Sequence, residues 1–97
     1  MEQAKPRFEK YILVCENQRE TGDCCGVPGE RVRALLKEKV QKLGLNRRIR
    51  VSRTGCLDEC SEGPNVLIVP DYIWFKHVRE DDVDKIIQSV ANDLTPL

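Results

Sequence analysis

The chain reads as a small α/β domain with a mixed sheet and two main helices, in the order β-α-β-β-β-α. Three observations predict it. Tyr11-Ile12-Leu13-Val14 and Val66-Leu67-Ile68-Val69 are short apolar, β-branched runs with the length of buried strands. Glu30 to Leu43 and Glu80 to Leu94 carry apolar residues at helical period on one face. Strands interspersed with helices pack as a sheet with the helices laid upon it.

Residues 1–8 read as an N-terminal extension and 9–97 as one domain. The first strand ends at Cys15. Glu16 to Gly29 is polar and holds Gly22, Gly26, Pro28 and Gly29, which predicts a long loop of the kind that usually carries function. In the helix that follows, Val32, Leu35, Leu36, Val40 and Leu43 fall near one face, and Gly44 supplies the stop. Arg48 to Arg53 alternates polar and apolar through Ile49 and Val51, a half-buried strand that completes a βαβ unit. Thr54 to Pro64 is a second cysteine-bearing loop, flexible at Gly55 and Gly63. Val66 to Val69, the turn at Pro70-Asp71 and Tyr72 to Phe75 form an antiparallel hairpin. In the last helix Val83, Ile86, Ile87 and Val90 share a face, and Glu80, Asp81 and Asp82 complement the dipole at its start.

A chain of 97 residues is one domain. A domain so short buries only about 60–65% of its unfolded surface, so a metal or a dimer interface would help it fold. Hydrophobic residues at 40% exclude disorder, and charged residues at 33% exclude a membrane span. No apolar run approaches the roughly 20 residues a membrane helix needs. Met1 to Arg7 has no apolar stretch directly behind it, so no secretory signal is expected, and the location expected is cytoplasmic. Zero net charge and a pI near 6.6 argue against nucleic acid as a partner. The basic stretch Leu45 to Arg50 reads as a solvated loop leading into a strand rather than as a phosphate site.

Five cysteines are many for this length. In a reducing compartment clustered thiols point to metal or redox chemistry. Cys15 ends a strand, Cys24 and Cys25 precede the first helix, and Cys56 and Cys60 follow the second strand. Loops that follow the strands of one βαβ unit leave the sheet at one edge, so distant cysteines can converge. Four thiolates suit a [2Fe–2S] core, because they are soft, anionic ligands for iron. Glycines such as Gly26, Gly55 and Gly63 would let backbone N–H groups come close to such a core. The spacing is Cys-x9-Cys from Cys15 to Cys25, then Cys-x3-Cys from Cys56 to Cys60. It matches neither the plant-type nor the bacterial ferredoxin runs, and only Cys56 and Cys60 have the short spacing of a zinc chelate. Spacing alone leaves two readings open, a metal or cluster site and buried incidental thiols.

Beyond spacing, Cys15-Glu16-Asn17-Gln18-Arg19 and Cys24-Cys25-Gly26-x-x-Gly29 resemble the first ligand loop of the thioredoxin-like [2Fe–2S] ferredoxins. Thr54-Gly55-Cys56-Leu57-Asp58-Glu59-Cys60-Ser61-Glu62-Gly63-Pro64 resembles the second. Val66 to Asp71, Ile73 to Phe75 and Asp81 to Ile87 resemble that family's later strands and final helix, so the likeness covers about residues 9–94. The loop from Cys15 to Cys25 is shorter than in many members. The resemblance implies a thioredoxin-like fold, one [2Fe–2S] cluster held by Cys15, Cys25, Cys56 and Cys60, and commonly a homodimer. Cys24 competes with Cys25 for the second position. Cys25 is chosen because a glycine sits four residues after that ligand in the family, as Gly29 does here. Cys25 is also nearer the helix start, which favours an anionic sulfur. Relatives include the small cluster-bearing subunit of NADH dehydrogenases and of NAD(P)-linked hydrogenases.

The expected function is therefore a one-electron carrier with redox proteins as partners and no turnover of its own. Rival readings are a zinc-binding or apo thioredoxin-like scaffold, a thiol redox enzyme using Cys24-Cys25 or Cys56 and Cys60, and a subunit of a larger NAD(P)-linked complex. A thioredoxin-type Cys-x-x-Cys is missing, as are a phosphate-binding glycine loop, a Ser/His/Asp set and a carboxylate pair placed for acid–base work. His77 is the only histidine, and a Rieske centre needs two. It reads as a strand-end residue, exposed or hydrogen-bonded. Tyr72, Trp74 and Phe75 read as core or dimer-interface residues rather than an electron conduit. Asp58, Glu59 and Glu62 read as a solvated loop, or as an acidic collar for a basic redox partner.

Overall fold

A computed structural model describes residues 1–16, 26–57 and 62–96. Along the chain come β1 (Lys10–Cys15), α1 (Gly26–Lys42), β2 (Ile49–Thr54), β3 (Val66–Val69), β4 (Ile73–Phe75), a 3-10 turn (Glu80–Asp82) and α2 (Val83–Asn92). The order is the expected β-α-β-β-β-α. β1 pairs parallel with β2 and antiparallel with β3, and β4 adds antiparallel to β3. The mixed sheet thus runs β2-β1-β3-β4.

Strand alternation divides the apolar residues between two faces. Ile12 and Val14 of β1 and Val66 and Ile68 of β3 are buried, and they join Val32, Leu36 and Val40 of α1 and Ile86, Ile87 and Val90 of α2 in one core. α1 packs on β1 and β2, and α2 packs on α1. The alternate residues Tyr11, Leu13, Leu67 and Val69 lie outside that core and are half-buried. Trp74, opposite Leu67, is 40% exposed, and Tyr72 is 77% exposed.

Several boundaries differ from expectation. α1 begins at Gly26 rather than Glu30, so part of the expected loop is helix. Pro28 is tolerated because it falls in the first turn, where its missing N–H would have had no partner inside the helix. Leu43, expected on the buried face, lies beyond the helix end and is 50% exposed. Gly44 is the stop, with φ of 69°. Its N–H donates to Gln41 O at 3.0 Å and that of Leu45 to Val40 O at 2.9 Å, the paired bonds of a Schellman end. Tyr72 belongs to the turn, at φ of 61°, so β4 is shorter than expected. Glu80 to Asp82 form a 3-10 turn, not the first turn of α2, and the Asp82 carboxylate accepts from the Arg79 N–H at 2.8 Å.

Polar clasps hold the start of β1. Lys10 is 5% exposed, and its Nζ donates to Asp71 Oδ1 at 2.7 Å in the β3–β4 turn. Glu9 accepts from Arg48 Nη2 at 2.9 Å and from the Thr95 N–H, and Arg48 also donates to Thr95 O. The Thr95 N–H first, and Arg48 second, hold the Glu9 carboxyl below its ordinary value of 4.5. A carboxylate with a depressed pKa adds stability that is complete above its unfolded value and is lost as pH falls through its folded value. Glu9→Gln should therefore lower stability at neutral pH and flatten the acid limb, the two proteins converging once pH has fallen through the depressed folded-state value. Urea denaturation across pH checks this. Leu36 is fully buried, so Leu36→Ala should cost about 2–5 kcal/mol by urea unfolding of the same protein.

Candidate metal centre

Because β1 and β2 are parallel, both release the chain at the same edge of the sheet. Their register sets Cys15 level with Thr54, on strands about 4.8 Å apart, and Cys56 comes two residues later. Cys15 is 1% exposed and closes the core at this edge, whereas Cys56 is partly exposed. One sulfur-bearing residue thus approaches the site from the protein interior and another from its surface.

Cys15 is held by neighbours on both sides. Its N–H donates to Asn65 O at 3.1 Å, and the N–H of Glu16 donates to Thr54 O at 3.2 Å. The Glu16 carboxylate accepts from Arg33 Nε on α1. Asn65, 1% exposed, accepts through Oδ1 from the Trp74 indole N–H at 3.0 Å. Neither Asn65 nor Arg33 was expected at the site. Asn65 falls between the second cysteine-bearing loop and β3, and Arg33 is one of the charged residues around the rest of the first helix, so no sequence signal marks them.

The described flanks of both cysteine loops gather here. α1 starts one residue after Cys25, and its Val27 and Pro28 share a groove with Pro64 and Val78. The His77 N–H donates to Glu62 O at 2.7 Å and the Val78 N–H to Pro64 O at 3.0 Å, which ties down the exit of the second loop. His77 is exposed, with φ of 52° and Nε2 2.6 Å from Glu62 Oε2. Lys76 Nζ lies 3.8 Å from the same carboxylate. Glu62, read from sequence as solvated or as part of an acidic collar, is paired with these two side chains. Arg31 donates to Glu80 at 2.8 Å, and that carboxylate raises the guanidinium pKa above its ordinary value.

Cys24, Cys25, Cys60, Asp58 and Glu59 lie outside the described residues. Among the described residues no three His, Cys, Asp or Glu side chains gather as a metal site. Cys15 and Cys56, the two candidate ligands within them, come to one edge. Sulfur donors carried to one edge, with the flanks of both remaining cysteine segments beside them, fit the all-thiolate shell of a [2Fe–2S] core.

No family model matches the chain. It is 30% identical over 83 residues to a Clostridium pasteurianum protein named 2Fe-2S ferredoxin, covering 81% of each. It is 33% identical over 84 residues to a 2Fe-2S ferredoxin of Aquifex aeolicus, covering 81% of this chain and 76% of that one. The crystal structure of the wild-type thioredoxin-like [2Fe-2S] ferredoxin from Aquifex aeolicus superposes with a TM-score of 0.79 at 30% identity, over 93% of this chain and 92% of that one. Sequence and fold agree along nearly the whole length, and the chain belongs to the thioredoxin-like [2Fe–2S] ferredoxin family.

Proposed function

We propose that this protein is a one-electron carrier that binds a [2Fe–2S] cluster through Cys15, Cys25, Cys56 and Cys60. The observation that carries this reading is the meeting of the Cys15 and Cys56 strand ends at one sheet edge, in a chain of the ferredoxin family. When bound, such a cluster supplies a reversible one-electron change whose potential depends on charge, hydrogen bonds and exposure. The residues of the chain do the rest. Cys15 would hold the group from the buried side, its backbone fixed by Asn65. Cys56, partly exposed, would hold it from the side a partner can approach. Cys25 is preferred to Cys24 because it stands next to the start of α1, where the helix dipole favours a thiolate.

The carrier needs no turnover of its own, and its partners are donor and acceptor redox proteins. Among the described residues no helix is long and apolar enough to cross a membrane. Thiolate ligands persist in reducing compartments, which supports a cytoplasmic location. Residues 9–97 form the cluster domain and 1–8 an extension. The protein works as a homodimer. Tyr11, Leu13, Leu67 and Val69 form an apolar sheet face outside the core, and Trp74 and Tyr72 stand exposed at its edge. A second copy would cover it.

Two experiments test these statements. Protein purified without air should be reddish, contain about two irons per chain and bleach with dithionite. Cys56→Ala and Cys60→Ala should abolish iron retention, and Cys24→Ala should leave it largely intact. Loss in Cys24→Ala with retention in Cys25→Ala would reverse the choice of second ligand. Colourless protein that binds zinc, or that refuses reconstitution, would sink the electron-transfer reading. Sedimentation should give a dimer that Leu67→Glu converts to monomer without loss of helical content.

A further inference from the structure

We infer that Arg33 is a positioning residue for the metal centre, acting through Glu16 to hold Cys15 in place and to cancel an anionic charge beside it. This rests on the four-cysteine cluster reading above. Glu16 follows Cys15 directly, and its side chain is 9% exposed. A carboxylate so buried needs a partner, because removal from water is costly unless the charge is paired. Arg33 Nε supplies the partner from the third turn of α1, with its own side chain 26% exposed. The Glu16 backbone meanwhile donates to Thr54 O. Residue 16 thus joins three elements: the end of β1, the end of β2 and the first half of α1.

Its place distinguishes this pair from the molecule's other ion pairs. Arg31–Glu80 and Lys42–Glu38 are half-exposed or more on both sides, and pairs of that kind contribute little. Lys10–Asp71 is as buried, but it lies at the opposite end of β1. Among the ion pairs of the described residues, only Glu16–Arg33 is both largely buried and adjacent to a proposed ligand.

The consequence is electrostatic. A [2Fe–2S] core with four thiolates is anionic, and reduction adds one electron to it from an external reductant such as dithionite. An unpaired anion nearby opposes that added charge, and an unpaired cation favours it. While Glu16 and Arg33 are paired, the two charges largely cancel. Breaking the pair from either side should shift the potential in opposite directions, a result that loss of packing alone does not produce.

The test is protein-film voltammetry of the purified holoprotein, with iron and sulfide analysis of every sample. Arg33→Met should lower the potential and Glu16→Gln should raise it. Each should change the equilibrium constant for one-electron reduction about tenfold, ~59 mV for such a couple. Arg33→Lys and the double variant Glu16→Gln/Arg33→Met should both lie near wild type. Asp71→Asn, which breaks the remote buried pair, should not move the potential. Shifts in the same direction, or none in protein that keeps its cluster, would overturn the inference. If Arg33→Met loses the cluster, recovery in the double variant supports charge cancellation, and loss there too overturns it. Wild-type protein that contains no iron and sulfide would instead defeat the cluster reading on which the inference rests.

Discussion

Parallel pairing of β1 with β2 is the constraint from which the rest of the architecture follows. Two consecutive parallel strands must be joined by a crossover, and here α1 supplies it. The crossover returns the chain to the far end of the sheet, so both strands run the same way and end at the same edge. Cys15 and Thr54 become neighbours although they are far apart in the chain, and Cys56 lies just beyond. An antiparallel pair would have sent the two cysteines to opposite ends of the sheet. The site is in this sense a product of connectivity before it is a product of side chains.

β1 is the spine on which the other restraints act. It occupies a central position, bonded on one side to β2 and on the other to β3. Its amino end is held by polar clasps, through Lys10 to Asp71 and through the neighbouring Glu9 to Arg48 and Thr95. Its middle is apolar and supplies Ile12 and Val14 to the core. Its carboxyl end carries Cys15, held by Asn65, and Glu16, held by Thr54 and Arg33. Charge at the two ends and hydrocarbon between them is an arrangement that keeps the strand in register, since a one-residue slip would bury the wrong face.

The small size of the domain explains why so much restraint converges on one edge. A short chain has a modest core, and a bound metal adds stability that hydrocarbon packing alone supplies sparingly. The second loop exits over His77 and Val78, whose backbone N–H groups bind Glu62 and Pro64. Val78 is itself part of the core. The described exit of the second cysteine segment is thus bonded directly to a residue of the packed interior.

Most of the secondary structure was legible in the sequence because it rests on periodicity. The β-branched runs, the helical spacing of Val32, Leu36 and Val40 and the stop at Gly44 each act over a few residues and need no knowledge of the fold. The family of the chain was legible too, through the Gly-Cys-Leu-x-x-Cys-x-x-Gly-Pro segment. Other features required the tertiary structure. The start of α1 at Gly26 depends on Pro28 landing in a first turn, which local pattern alone does not distinguish from a loop. The turn conformation of Tyr72 is set by how the β3–β4 hairpin closes. The partnerships of Asn65 with Cys15 and Trp74, and of Arg33 with Glu16, join residues that periodicity assigns to turn and solvent. Local pattern and the cysteine segments were therefore enough for the strands, the helices and the family of the chain. Only the fold decided which neighbours hold Cys15 in place, because a hydrogen bond or an ion pair between distant segments exists once the sheet and its helices have brought those segments together.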